Sequence, residues 1–454
     1  MRPAFVVALT ATVAAAVTSC GSGKEAPSSP DPDAAVSEAG PDSVPEEAAA
    51  PIDAGADAPD AEWDFDAAPR TVVCSSEPCA TALTTTLIEG YCALLQDGTV
   101  ACWGQNLHGE LGRGIAATPY AKATPERVVG LSNVAELEHT CAIDRSHETW
   151  CWGRSAYFRD SEDPVVEAKV VWDPVKVPIA APTTLAPTNY NYGSRVEATT
   201  CAVLDGGLVC WGTNGHAQLE PGPEATSSWE PSTPLPPRTM ELPPGAPIRT
   251  VALGRATLVL REDGTLLSWG NSTAIGRLSS LSPDPYPQPI ALSDVSAIDV
   301  NDLGACAISR GVAYCWGPPF FPNAPYSEGP LARALPEPIA TPEPLVQIAT
   351  SSGSNNSFPQ RGCGVGVSGA VYCWGNNFFG QAGDGKTDVS SKEREAVKVV
   401  GLPAPAARVK ATSKSTCALL TTGKVYCWGD STDGQLGNGV FGGLSPTPVE
   451  AKLP

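Results

Sequence analysis

Residues Cys92–Gly104 read CALLQDGTVACWG, and this stretch returns along the chain with small changes. It recurs as CAIDRSHETWCWG (Cys141–Gly153), CAVLDGGLVCWG (Cys201–Gly212) and CAISRGVAYCWG (Cys306–Gly317). It recurs again as CGVGVSGAVYCWG (Cys363–Gly375) and CALLTTGKVYCWG (Cys417–Gly429). A further copy, LVLREDGTLLSWG (Leu258–Gly270), keeps Trp-Gly and has neither cysteine. The Trp-Gly pairs begin at 103, 152, 211, 269, 316, 374 and 428, with spacings of 49, 59, 58, 47, 58 and 54 residues. Seven β-rich units of roughly 50 residues, punctuated by Gly and Pro, predict a propeller or solenoid.

The local physics starts at the turn. In the first copy Cys92, Leu94, Val100 and Cys102 alternate on either side of Gln96-Asp97-Gly98, the period-two signal of a β-hairpin. A three-residue loop with Gly98 in the left-handed region sets Cys92 opposite Cys102. Where the cysteines are nine apart, as in Cys201/Cys210 and Cys306/Cys315, an even loop such as Asp205-Gly206 restores the opposition. Opposed residues on antiparallel strands have Cα atoms about 4.5–5.5 Å apart, within disulfide range. The expected pairs are therefore Cys92–Cys102, Cys141–Cys151, Cys201–Cys210, Cys306–Cys315, Cys363–Cys373 and Cys417–Cys427. Leu258 and Ser268 replace both partners together, as covalent partners would be lost. Cys74 and Cys79 make a seventh candidate pair, which leaves Cys20 of the 15 cysteines. Zinc is disfavoured, because one C-x8-C or C-x9-C per hairpin lacks the close-spaced pairs of structural sites.

So many bridged cysteines call for an oxidising compartment. Residues 1–19 supply a route: Arg2, an uncharged apolar stretch Ala4–Val17, then Val17-Thr18-Ser19-Cys20. That stretch is shorter than the ~20 residues a membrane span needs. It resembles the lipobox of bacterial lipoproteins, which implies cleavage before Cys20 and acyl chains such as palmitate on that residue. Several chains give stable anchoring, and Gly21 implies sorting to an outer membrane or cell surface. Residues 20–70 read as a disordered tether. Over 21–70 there are 8 Pro, 13 Ala and 13 acidic residues against Lys24 and Arg70, too little apolar surface to offset ordering entropy. As a flexible coil the tether would reach about 40 Å. It holds −11 of the formal −20 and Arg2 adds +1, leaving −10 on residues 71–454. An acidic balance excludes nucleic acid as an expected partner, since phosphate binding needs a basic face.

The repeats resemble the regulator of chromosome condensation repeat family, whose motif couples a hairpin ending in Trp-Gly to a Gly-Gln-Leu-Gly turn. The second half reads GQNLHGELGRG (Gly104–Gly114), GNNFFGQAGDG (Gly375–Gly385) and GDSTDGQLGNG (Gly429–Gly439). Copies two, four and five depart there, with GRSAYFRDSED, GNSTAIGRLSS and GPPFFPNAPYS. The resemblance covers residues 71–454 and implies an all-β, seven-bladed β-propeller of four-stranded antiparallel blades. SPTPVEAKLP at the C-terminus looks like TPERVVGLS before copy two. The C-terminal strand is therefore expected to complete the N-terminal blade and remove an open sheet edge. Each Trp of Trp-Gly is expected to pack between blades.

No catalytic constellation emerges: no HExxH, no G-x-S-x-G elbow and no phosphate-binding GxxxxGK[ST]. Gly362, Gly364 and Gly366 fall inside a hairpin strand, so a dinucleotide reading fails on context. The four histidines (His108, His139, His147, His216) fall in three repeats and are taken to share no repeat position, giving neither metal nor triad pattern; His139 is assigned a structural use. Asp430 and Asp433 fall short of the six or more donors of a calcium site. No cofactor is expected. Long insertions after Trp-Gly carry the candidate interface aromatics: Tyr157, Phe158, Trp172 and Tyr190 in Arg154–Asn191 with Tyr192 just after it, Trp229 in Glu220–Pro247, and Phe320, Phe321 and Tyr326 in Pro318–Pro344.

The expected function is a non-catalytic, lipid-anchored binding scaffold for a protein or cell-envelope polymer. Three alternatives remain. The family resemblance implies guanine-nucleotide exchange, and a similar secreted bacterial architecture that inhibits β-lactamases implies enzyme inhibition. A carbohydrate-active enzyme built from scattered loop carboxylates is the third.

Overall fold

A computed structural model describes residues 68–75, 77–86, 88–114, 122–157, 167–180, 182–192, 195–219, 234–301, 303–317, 334–352, 361–388 and 395–454. Contacts divide the chain between Ala61 and Glu62, and the described residues all belong to the second unit. They form strands and turns without helix, from β1 (Ala80–Thr85) to β28 (Leu444–Glu450). No helix among them is long and apolar enough to cross a membrane. Cys20 and the tether lie outside the described residues. Arg70, placed at the end of the tether by sequence, already donates from Nη2 to the carbonyl of Val367 at 3.1 Å.

The strands run as four-strand antiparallel meanders. β1, β2 (Gly90–Leu95), β3 (Val100–Gly104) and β4 (Lys122–Arg127) form the first sheet in chain order. Four more sheets of four strands follow the same plan. The expected seven separate sheets are not all separate, because the last eight strands make one sheet. In it β21 (Leu345–Ser352) pairs in parallel with β25 (Ala406–Thr412) through Ser351↔Ala411 and Ser352↔Thr412. That short parallel ladder fuses two meanders at their inner strands.

The first strands of the meanders touch in a cycle. β1, β5 (Val134–Glu138), β9 (Thr184–Tyr192), β13 (Ile248–Leu253), β17 (Val295–Val300), β21 and β25 each contact the next, and β25 contacts β1. The ends do not close the ring as the sequence implied. β28 pairs with β27 (Val425–Asp430) and finishes its own sheet, while the first sheet is complete with β1. Closure is instead backbone bonding and packing between whole sheets: Val73 N donates to Thr421 O and Gly439 N to Ala123 O, both at 2.8 Å. No exchanged strand is needed, since β1 supplies what the exchange would have supplied.

The hairpins follow the turn chemistry. Cys92↔Cys102 is the observed register, and Leu95 N donates to Thr99 O at 2.8 Å. Counting back three pairs from that bonded pair puts the cysteines at a narrow, non-hydrogen-bonded site. Asp205 (φ 48°) and Gly206 (φ 78°) form the two-residue turn that brings Cys201 opposite Cys210 at the equivalent narrow site. All six hairpin disulfides form with Cα atoms 4.0–4.1 Å apart, closer than expected, and Cys74–Cys79 forms at 5.8 Å.

Most of the described part of copy two's long insertion is strand, not loop. β7 (Glu148–Tyr157) runs on past Trp-Gly and pairs with the 14-residue β8 (Glu167–Ala180), down to Tyr157↔Glu167. Sequence reading missed this because GRSAY carries no turn residue after its glycine, and the strand simply continues.

Candidate binding site: the inter-blade clasp and the axial channel

All seven Trp of Trp-Gly are at most 2% exposed. Six donate their indole N–H to a carbonyl in the segment that follows the preceding copy's Trp-Gly. Trp152 reaches Glu110 O (2.9 Å), Trp211 Ala156 O (2.9 Å) and Trp269 Gln218 O (2.6 Å). Trp316 reaches Ala274 O (2.7 Å) and Trp428 Gln381 O (2.9 Å). Trp103 reaches Gln435 O (2.9 Å) across a sequence separation of 332 and closes the cycle. Trp374 Nε1 has no partner among the described residues; the segment before it is the divergent GPPFFPNAPYS.

This clasp explains the Gly-Gln-Leu-Gly turn. The Gln or Glu side chain accepts from the backbone N–H two residues earlier: Gln435 from Asp433, Gln381 from Phe379, Gln218 from His216, Glu110 from His108. Its own carbonyl takes the next indole. The glycine two residues on lies against that ring: a Cβ on Gly112 would come 2.8 Å from Val128 Cγ1 and 3.1 Å from Trp152 Cδ1, and one on Gly437 2.9 Å from Trp103 Nε1. Both have positive φ, so a side chain is excluded twice. His108 and His216 therefore share a repeat position, the fourth after the Trp-Gly glycine, which corrects the reading that the histidines are unrelated. Asp430 is engaged by Thr432 (2.8 Å) and Gln435 (3.4 Å), as a turn residue would be.

Of the candidate aromatics, Trp172 is half-buried on β8 and packs on the first copy's turn. Its Cε3 would lie 3.3 Å from a Cβ on Gly109, and its carbonyl accepts from Gly114 N at 3.0 Å. It serves the blade contact. Tyr157 lies on β7 and Tyr190 and Tyr192 on β9, in strands rather than the expected loops; their side chains, like Phe158, Trp229, Phe320, Phe321 and Tyr326 entirely, fall outside the described residues.

Sequence reading missed the axis. In each meander one inner-strand residue pairs with the first half-cystine position: Thr84, Glu138, Ala186, Ala252, Asp299, Ala349 and Lys410. Four small or neutral residues and three charged ones thus stand at one register level, and that register was the signal available. Glu138, Ala186, Ala252, Asp299 and Lys410 all line an axial chamber of about 130 Å³ with His139, Pro187 and Thr250. A larger cavity of about 410 Å³ shares Glu138, Thr184 and Leu185 with it and adds Glu136 and Arg408.

The chamber's charges stand apart. Lys410 Nζ is 3.9 Å from Glu138 Oε1 and 4.0 Å from Asp299 Oδ1. Asp299 Oδ2 accepts from both N and Oγ1 of Thr350 at 2.6 Å. His139, at φ 48°, holds Nε2 3.6 Å from Glu138 Oε1 and Nδ1 3.1 Å from the Thr85 carbonyl. Their side chains are partly exposed, Glu138 most at 42% and Lys410 least at 17%. Burial disfavours the charged form of Glu138, but Lys410, His139, Arg408 and Thr84 together outweigh it and hold the carboxyl below its ordinary range. Burial pushes His139 down against the opposing pull of Glu138 and Asp299. Lys410 titrates above its ordinary value, burial being overcome by the same two carboxylates. Among the described residues no group of three or more His, Cys, Asp or Glu could hold a metal ion.

Residues 407–435 match the Regulator of chromosome condensation (RCC1) repeat. That segment holds the Lys410 strand, the last hairpin and the Gly-Gln turn. One such repeat is matched there, and the other Trp-Gly copies resemble it. The chain is also similar to the Arabidopsis thaliana ultraviolet-B receptor UVR8, 24% identical over 370 residues and 76% of each chain. The human E3 ubiquitin-protein ligase HERC2 is 26% identical over 74% of this chain, which spans only 8% of HERC2. Two solved structures share the fold. Prp20p from Saccharomyces cerevisiae matches at TM-score 0.59 and 21% identity, over 79% of this chain and 86% of its own. Human WBSCR16 matches at 0.57 and 16%, over 79% and 94%.

Proposed function

We propose that this repeat propeller is an exported, lipid-anchored, non-catalytic scaffold that binds a protein or a cell-envelope polymer. The observation that carries the reading is the cystine complement. Seven close cysteine pairs, six in equivalent hairpins, suit an oxidising compartment. Residues 1–19 would direct export and be removed, Cys20 would carry acyl chains, and residues 20–70 would hold the ring off the membrane. The cyclic contact of seven inner strands supports a seven-bladed ring over residues 71–454, the eight-stranded sheet counting as two blades. Protein binding is consistent with the solved relative Prp20p, studied for its binding to Gsp1p and histones. Guanine-nucleotide exchange on a cytosolic partner sits badly with export.

Two experiments test the reading. Mass spectrometry of the native, unreduced protein should find the hairpin cysteines paired and an acylated Cys20 as the first residue; free thiols at the hairpins refute export. Pull-down of envelope components with the folded propeller should capture a partner. If that partner persists after the β7–β8 extension is trimmed to a short turn, the extension is not the binding surface.

A further inference from the structure

The axial chamber contains two hydrogen-bond acceptors that face each other. His139 Nδ1 lies 3.1 Å from the Thr85 carbonyl, which can only accept, and 3.4 Å from the Thr85 hydroxyl, which can do either; the shorter contact puts the proton on Nδ1. In the neutral ring Nε2 is then a bare lone pair, 3.6 Å from the Glu138 carboxylate. Two acceptors at that spacing repel unless a donor lies between them or the ring takes a second proton. The backbone fixes the opposition: His139 is held at φ 48°, and its N–H donates to Thr84 Oγ1 at 3.1 Å. Lys410, the one cation of the chamber, is too far from Glu138 and Asp299, at 3.9 and 4.0 Å, to complete either carboxylate by direct hydrogen bonding. Arg408, in the adjoining cavity, acts on Glu138 as a charge from the far side, so Lys410 and Arg408 together offset the two carboxylates without bonding them from within the chamber.

We propose that the chamber is a binding site for a primary ammonium group, seated between His139 Nε2 and Glu138 Oε1 with Asp299 as the further counter-charge. A primary ammonium matches on two counts: it brings three N–H donors for the facing acceptors, and it fits about 130 Å³ on a thin methylene stem. Its source is either a free alkylamine or a lysine side chain of a bound protein. The inference does not depend on export or lipidation, since the chamber belongs to the fold.

The test uses the full-length oxidised protein with isotope-labelled histidine. The chain has only four histidines, and His139→Asn, a residue that tolerates positive φ, assigns the signal. At neutral pH the ring should be uncharged with the proton on Nδ1. Butylammonium should shift that signal, while tetramethylammonium, equal in charge but without N–H, should not. Glu138→Gln should weaken butylammonium at least about tenfold. Acidification that protonates His139 should expel it. A termini-blocked lysine peptide, compared with its Nε-acetylated form, separates the sources: selective and tighter binding of the free lysine assigns a protein ligand, whereas butylammonium alone assigns a free amine. A doubly protonated His139 at neutral pH, equal response to tetramethylammonium, or no response to either amine probe overturns the proposal, the last leaving only water in the gap.

Discussion

The first and fourth copies fold alike with and without a cystine. Cys92↔Cys102 in one becomes Leu258↔Ser268 in the other, at the same cross-strand register and with all four residues fully buried. Ser268 replaces the covalent link with a hydrogen bond, its Oγ donating to Ile275 O at 2.6 Å, and Leu258 joins the core beside Leu260 and Trp316. The rest of the hairpin and its clasp are retained. Both hairpins turn through Asp-Gly, both end in a buried Trp, and both indoles reach the preceding turn, at Gln435 O and Gln218 O. The disulfide is thus an addition to a fold that alternation, turn and Trp clasp already specify.

That ranking can be broken by experiment. Trp103→Ala and Trp269→Ala should cost the most, about 3–5 kcal/mol each from lost burial and an unfilled cavity. Trp103 clasps the first copy to the last, so its loss should also raise exchange of the Val73 and Gly439 amides, which bond across the same junction. Hydrogen exchange in the two variants checks this. Equal protection at that junction in both would show that the ring closes without the clasp.

Next comes the staple. Cys92→Ser with Cys102→Ser should destabilise by about 3 kcal/mol on the loop-entropy account, measured by denaturant unfolding, and leave the repeat folded as the fourth copy is. The reciprocal change, Leu258→Cys with Ser268→Cys, should form an eighth disulfide, because the two positions already face each other. Its gain should fall short of the native staple's worth, since the Leu258 packing and the Ser268–Ile275 bond go with it. A reduced pair in this double variant under oxidising conditions would mean that register alone does not make the bond.

The hairpins and the cystines were legible because they depend on neighbours in sequence: period-two alternation, Asp-Gly turns and paired cysteines. The indole clasp was half legible. The Gly-Gln-Leu-Gly motif marked the turn, but which carbonyl met Trp103 is a contact across 332 residues. The closing strand was misread because SPTPVEAKLP resembles the lead-in to the second copy, whereas β28 plays the fourth-strand role that β4 plays there. The axial charges were illegible for another reason: Glu138, Asp299 and Lys410 come from three distant strands, and only their common register brings them to one level.

A smaller effect separates the copies at Glu89 and Arg255, whose carbonyls receive Gln105 N and Asn271 N in equivalent positions. Glu89 is 5% exposed and accepts from Ser413 of the last copy, and its Oε2 has no partner among the described residues. Burial raises its pKa above 4.5, against Ser413 and Thr412. The folded state therefore holds the proton more tightly than the unfolded one, and stability falls as pH rises from 4.5 through the raised value. Glu89→Gln keeps an acceptor for Ser413 and removes the buried charge. It should raise the melting temperature slightly at neutral pH and flatten that descending limb; an unchanged limb would locate the titration elsewhere.

The smallest contrast lies in the turns themselves. Asp97 accepts from Thr99 N at 2.9 Å and Thr99 Oγ1 at 2.6 Å, and it also pairs with Arg127 at 2.6 Å. The equivalent Asp263 accepts from Thr265 N at 3.0 Å, and no ion pair to it is seen among the described residues. The Thr99 hydroxyl, with Arg127 and the Thr99 amide, brings Asp97 down to about 2 from 3.8. A lowered carboxyl contributes stability that is complete above its unfolded value and lost as pH falls through its folded one, here between about 3.8 and 2. Asp97 and Arg127 are nearly half exposed, so screening limits the pair to less than about 1 kcal/mol. Asp97→Asn should therefore cost a few tenths of a kcal/mol to about 1 kcal/mol at neutral pH, falling in high salt. Asp263→Asn should show a weaker salt dependence, because the turn's own amide and hydroxyl act on Asp263 first and Arg261 only as a lesser charge without a contact ion pair. Acid unfolding of both variants at low and high salt decides it: a matching salt response would mean that Arg127 adds nothing to the turn.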